Sequence, residues 1–267
     1  MDENKTSLPV ANEHKKGQIA CILLSCVAIG LYFVPYGWYA LYPFMLIYTF
    51  VHEMGHGIAA EMMGGQFVDF KMWLDGSGVA AFRLLKDASG FAKAFVAFGG
   101  LIAPAIWAAI FLMLGRSRKL ARIGLYLCAF ICVASLILVV RNLFGFFFVA
   151  VCGLLSFGIA YLCRPRGKNE AGELSPLRDS SVPQYTMLFL AMTLCTCVFS
   201  RGDYLFTAVA NTAEGPAPSD VAQIENNLLL PYWFWGGLIA VISVGVLIVG
   251  LWSFFKPSKK AIEGDKR

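Results

Sequence analysis

The sequence predicts an all-α polytopic membrane protein, a bundle of about six to seven transmembrane helices with a small β-hairpin after the second. Three observations carry that expectation. Of the 267 residues, 58% are hydrophobic and only 15% charged, well outside the balance of an ordinary soluble domain. Apolar runs long enough to cross a bilayer recur along the whole chain. One stretch, QFVDFKMWL, breaks from helical periodicity: Val68, Phe70, Met72 and Leu74 alternate with Phe67, Asp69, Lys71 and Trp73, the period of a half-buried strand.

The elements follow in order. Residues 1–16 form a polar tail, residues 17–255 a single transmembrane domain, and residues 256–267 a basic tail. The first helix, over 17–34, is retained rather than cleaved, since no small-residue cleavage site follows it. The turn Pro35-Tyr36-Gly37-Trp38 ends it. A second helix covers 39–63 and stops at Gly64-Gly65. The alternating strand comes next, Asp75-Gly76 supplies a tight turn, and GVAAFRLL returns as its partner. Further helices are expected over 91–114, 120–139, 142–163, 185–210 and 232–255, with polar connections at 164–184 and 211–227.

The charge pattern speaks to topology. The net charge of +5 comes from lysines and arginines gathered between apolar segments, so it predicts no nucleic-acid partner. Arg116, Arg118, Lys119 and Arg122, then Arg164, Arg166, Lys168 and Arg178, then the carboxyl-terminal basic residues fall on one side after seven crossings. The positive-inside rule makes that side cytoplasmic. The setting is the lipid bilayer of a cell membrane, spanned several times. The eight cysteines lie in or beside apolar segments and read as small packing residues, not a disulfide framework.

Two of the three histidines sit in VHEMGHGIAA, residues 51–60, inside the second apolar run. His52 and His56 are four residues apart, which puts both imidazoles on one helix face and within reach of one metal ion. Glu53 lies about 100° round the helix from His52, near enough to reach a metal-bound water. Zinc lowers the pKa of such a water to roughly 7 and polarises a scissile carbonyl. Glu53 can take the water's proton and pass it to the leaving amine. Three ionisable groups inside a membrane helix are costly unless they have a function. Gly55 and Gly57 thin the same helix, so another part of the chain can approach closely.

HEMGH in an early apolar segment, followed by a glycine pair and a strand-like stretch, resembles the site-2 proteases, intramembrane zinc metalloproteases. GSGVAAF, GGLIAPAI in the next helix, and SDVAQIENNLLLPYWFWG near the end resemble the compact bacterial-type branch. The resemblance covers roughly residues 48–237. It implies one Zn²⁺ per chain, His52 and His56 as ligands, and Glu53 as catalytic base. It also implies cleavage of peptide bonds in or near transmembrane segments of other membrane proteins, by Glu-assisted attack of a zinc-bound water. Members usually carry a Leu-Asp-Gly in a later helix, whose aspartate is the third ligand. Here Leu74-Asp75-Gly76 falls in the expected hairpin turn instead. No segment fits a regulatory domain such as a PDZ module.

A catalytic zinc site wants three protein ligands and one open position. The acidic candidates for the third are Asp75, Asp203, Asp220 and Glu225. Asp75 is accounted for by its turn, while Asp220 and Glu225 fall in a polar connection. Asp203, toward the end of an apolar run and at about the depth of His56, is the expected ligand, with Asp220 in reserve. Asn142, at the start of the 142–163 segment, is a possible substrate or oxyanion contact, though an asparagine there also suits a helix cap. The competing function is a catalytically inactive, protease-like membrane scaffold that binds partners. A metal transporter would need polar residues along several helices, and the 91–114, 120–139 and 232–255 segments hold almost none.

Overall fold

The structure, a computed structural model, describes residues 33–164, 180–200, 202–212 and 215–256, with scattered positions between 19 and 31. The expected first helix, over 17–34, therefore lies largely outside the described residues, as do most of the 164–184 connection and both tails. Seven α-helices are present among the described residues: α1 (Gly37–Met62), α2 (Gly90–Leu114), α3 (Arg118–Leu138), α4 (Leu143–Leu162), α5 (Val182–Ser200), α6 (Asp220–Asn227) and α7 (Tyr232–Phe255). Five helices among the described residues are long and apolar enough to cross a membrane. They are α2, α3, α4, α7 and the run that begins with α5. Helix α1 is not among them, because His52, Glu53, His56 and Glu61 dilute its apolar content. Its middle, residues 51–57, is buried against its neighbours. The fold is thus the helical polytopic bundle the composition predicts.

Helix α2 is the centre of the bundle and packs against α1, α5, α6 and α7. Its close fit to α1 depends on missing side chains. A Cβ on Gly55 would lie 2.5 Å from the Gly99 carbonyl oxygen, and one on Gly99 only 2.4 Å from Ala59 Cβ. A Cβ on Gly57 would strike the Phe67 ring at 2.2 Å. The thinned helix thus receives both a neighbouring helix and a strand.

Strands β1 (Gln66–Met72) and β2 (Gly78–Arg83) form the expected antiparallel hairpin, pairing Phe70 with Ala80 and Met72 with Gly78. Phe70 and Met72 are buried, while Asp69 and Lys71 are less so, which is the alternation read from the sequence. The turn carries Asp75, whose carboxylate accepts from the Ser77 hydroxyl at 2.6 Å and the Ser77 N–H at 2.9 Å. Those bonds hold the Asp75 carboxyl below its usual range.

The other edge of β1 is covered. The Phe70 N–H donates to Val139 O at 2.7 Å, and the Arg141 N–H donates to Phe70 O at 3.0 Å. Asn142 continues this pairing with its side chain. Its Oδ1 accepts from the Met72 N–H at 3.1 Å, and its Nδ2 donates to Met72 O at 2.5 Å. Asn142 occupies the N-cap position of α4 but makes no side-chain cap there. Both ends of its amide serve the strand. With β1 flanked, β2 is the outer strand.

The expected helix over 185–210 is shorter than the sequence suggested. It ends at Ser200, a 3₁₀ helix runs over Gly202–Phe206, and β3 (Val209–Thr212) pairs with β4 (Gly215–Pro218) as a second hairpin. Helix propensity falls at Gly202 and Asp203, and the two prolines at 216 and 218 suit a short two-stranded edge rather than a helix. The expected polar connection over 211–227 thus contains a strand pair and helix α6. Ser219 caps α6, its Oγ accepting from the Ala222 N–H at 3.2 Å.

Candidate metal and catalytic site

The middle of α1 carries His52, Glu53 and His56, all buried. The two imidazoles point the same way, as the four-residue spacing requires. Their Nε2 atoms are 3.2 Å apart and their rings stand 88° to one another. Facing them is Asp220, the first residue of α6. Its Oδ2 lies 3.1 Å from His52 Nε2 and its Oδ1 3.4 Å from His56 Nε2. One ligand atom from each of the three residues falls within 4.8 Å of the others. Asp220 is only 5% exposed. Burial would raise its carboxyl, but the two imidazoles outweigh that and hold it well below the usual carboxylate range.

Neighbouring backbone orients the set. The His56 Nδ1–H donates to the Val96 carbonyl at 2.8 Å, which turns Nε2 toward Asp220 and His52. His56 lies directly on α2: a Cβ at Gly100 would sit 2.2 Å from its Cε1 and Nε2. Gly100→Ala is therefore expected to push the ring out of line and weaken zinc binding at least about tenfold, as outer-shell losses do. The neutral comparison is Gly237→Ala, where a Cβ meets open space. Chelator competition on both variants measures this, and unchanged affinity in Gly100→Ala would contradict the packing.

The hairpin is strapped to the same helix. Tyr42, Thr49 and Glu53 recur at spacings of seven and four and so share one face of α1. The Tyr42 hydroxyl donates to Leu74 O, Thr49 Oγ1 donates to Gly76 O at 2.8 Å, and Glu53 Oε2 accepts from the Ala80 N–H at 2.8 Å. Gly78 makes room for this: a Cβ there would lie 2.6 Å from Thr49 Cγ2 and 3.0 Å from Glu53 Cγ. A cavity of about 220 Å³ lies between strap and ligands, lined by Tyr48, His52, Glu53, Ser77 and Tyr204 among others. It extends from the hairpin turn to the buried motif, which gives water a polar place beside Glu53.

The sequence-derived candidates are thus distributed unevenly. His52, Glu53 and His56 come together as the motif implies. Asp220, the reserve, completes the cluster. Asp203 is on the 3₁₀ helix, outside α5, and its side chain is not among those described, so the depth argument that favoured it no longer applies. Asp75 is held in its turn by Ser77. Asn142 does not line the cavity and is engaged with Met72. Tyr204 was not singled out from the sequence, yet its hydroxyl lies 3.4 Å from Asp220 Oδ2.

The donor set of two imidazole nitrogens and one carboxylate oxygen is one that zinc accepts, and one of the three, His52, also lines the cavity. No curated protein and no solved structure matches the chain. A family model described as peptidase M50B-like matches residues 22–250, most of the chain. The chain therefore belongs to the peptidase M50B-like family, membrane metalloproteases of the site-2 protease type.

Proposed function

We propose that the protein is an intramembrane zinc endopeptidase of the cell membrane, cutting peptide bonds in or near transmembrane segments of other membrane proteins. The observation that carries this reading is the convergence of His52, His56 and Asp220 behind a polar cavity that His52 and Glu53 line. His52 and His56 through Nε2, and Asp220 through its carboxylate, would hold one Zn²⁺. When bound, that ion supplies Lewis-acid polarisation of a water and of the scissile carbonyl.

The protein's own groups do the rest. Glu53 takes a proton from the attacking water as the water oxygen bonds to the carbonyl carbon. It then delivers that proton to the amide nitrogen as the C–N bond breaks, leaving a carboxylic acid and an amine. A helical substrate must first expose its carbonyls, and a strand edge can hold the unwound segment by backbone pairing. Strand β2 supports that reading, since β1 is flanked on both sides and β2 pairs with a strand on one. Glu53 already meets β2 at Ala80, so base and strand share one location.

Metal removal tests the reading. Purified protein in detergent, incubated with a transmembrane peptide, is expected to cleave it when zinc-loaded, to stop after chelation, and to recover on adding zinc. Equal processing before and after verified zinc removal would refute it. Partner binding with zinc bound and no cleavage would favour the inactive scaffold.

A further inference from the structure

None of the protein's own groups named so far donates a hydrogen bond to the charge that grows on the carbonyl oxygen as water adds to the carbonyl carbon. A preorganised donor aimed at that oxygen is commonly a large contributor to such catalysis. We propose that Tyr204 is that donor, a catalytic residue whose hydroxyl hydrogen-bonds the oxyanion of the tetrahedral species. The inference rests on the peptidase reading and adds a residue to it.

Tyr204 lines the same cavity as His52 and Glu53. Its ring meets the His52 ring edge-on, with centroids 6.3 Å apart. Its hydroxyl lies 3.4 Å from Asp220 Oδ2, long for an O–H···O contact, so the proton is weakly committed to that carboxylate. A developing oxyanion is a stronger acceptor and would draw it away. Thr49 and Ser77 of the cavity wall, and Asn142 beyond it, have hydrogen-bond partners of their own. Thr49 donates to Gly76 O, Ser77 donates to Asp75, and the Asn142 amide is taken by Met72. Tyr48 lays its ring along that of His52, 18° from parallel.

The backbone under Tyr204 is held in place. Its 3₁₀ helix touches α7 so closely that a Cβ on Gly236 would lie 1.9 Å from Leu205 O. Tyr204 also packs against the buried cluster that joins α2, α6 and α7 and includes Val221 and Ile224 of the helix that presents Asp220. A donor held this way costs no reorganisation when charge develops.

The step balances without further reactants. As the water oxygen bonds to carbon, the carbonyl π pair moves onto oxygen, and the Tyr204 O–H stays intact while bonding it. On collapse the pair returns to form C=O, the C–N pair leaves with nitrogen, and nitrogen takes the proton held by Glu53.

Tyr204→Phe in the zinc-loaded full chain tests this. Expected is a fall in kcat of about 10²–10³-fold, with KM and zinc per chain unchanged. A second readout does not depend on turnover: binding of an N-blocked leucyl phosphonamidate dipeptide, a tetrahedral mimic, against its parent amide. Tyr204→Phe should weaken the phosphonamidate by a comparable factor and leave the amide unaffected. Wild-type affinity for the phosphonamidate would overturn the proposal. So would zinc loss in step with activity, which makes Tyr204 a support for Asp220, or the same deficit in Tyr48→Phe with Tyr204→Phe silent. Tyr204-dependent phosphonamidate binding without Glu53-dependent cleavage would sink the peptidase reading while leaving the donor assignment standing.

Discussion

Replacing Asp220 by alanine is expected to strip the protein of zinc. Two imidazoles from one helix would remain, and catalytic zinc sites use three protein ligands. Losing a supporting residue outside the ligand set costs about 10–100-fold in metal affinity, so losing a ligand should exceed about 100-fold. The measurement is zinc per chain after desalting, by atomic emission, on matched preparations of Asp220→Ala, Asp203→Ala and Asp75→Ala. The latter two should keep wild-type stoichiometry, since Asp75 is held by Ser77 and Asp220 already completes a three-ligand cluster with the histidines. Full occupancy in Asp220→Ala together with loss in Asp203→Ala would return the third ligand to Asp203.

The second large effect is on turnover. Glu53→Gln is expected to lower kcat by about 10²–10⁴-fold with zinc retained, the range that a positioned general base contributes. Glutamine is the informative replacement because its Oε1 still accepts a hydrogen bond from the Ala80 N–H. Alanine removes the base and also the third point of the strap. Hydrogen exchange at Ala80 separates the two roles: protection should persist in Glu53→Gln and fall in Glu53→Ala. Wild-type cleavage by Glu53→Gln would end the assignment of Glu53 as base.

Much of the fold was legible because burial in a bilayer leaves a strong compositional mark. Long apolar runs gave α2, α3, α4 and α7 to within a few residues, and the period of two gave the first hairpin. The motif histidines were legible because i and i+4 fix a shared face. Asp220 was harder. Its neighbours Gln223, Glu225, Asn226 and Asn227 are polar, so the segment read as a solvated connection. The signal was nonetheless local: Ser219 then Asp220 is helix-start chemistry, and Val221, Ala222 and Ile224 give the short helix an apolar face. The second hairpin was missed because its strands are short and include two prolines. The partner of Asn142 was illegible for another reason. The Asn142 amide imitates a strand residue by pairing with Met72 seventy positions earlier, a contact no local pattern announces.

The glycine contact between α1 and α2 has a mechanical consequence. Gly55, Gly99 and Gly100 bring the two backbones together with no free volume, and His56 is wedged into that seam. A close-packed seam neither slides nor compresses at small cost, so the two helices move as one rigid body. The first hairpin is fixed to that body by its three-point strap and by buried Phe70 and Met72, and the helix that delivers Asp220 by buried Val221 and Ile224. Whatever enters the cavity therefore meets a fixed wall bearing His52 and Glu53, with the hairpin turn and Tyr204 on its other sides.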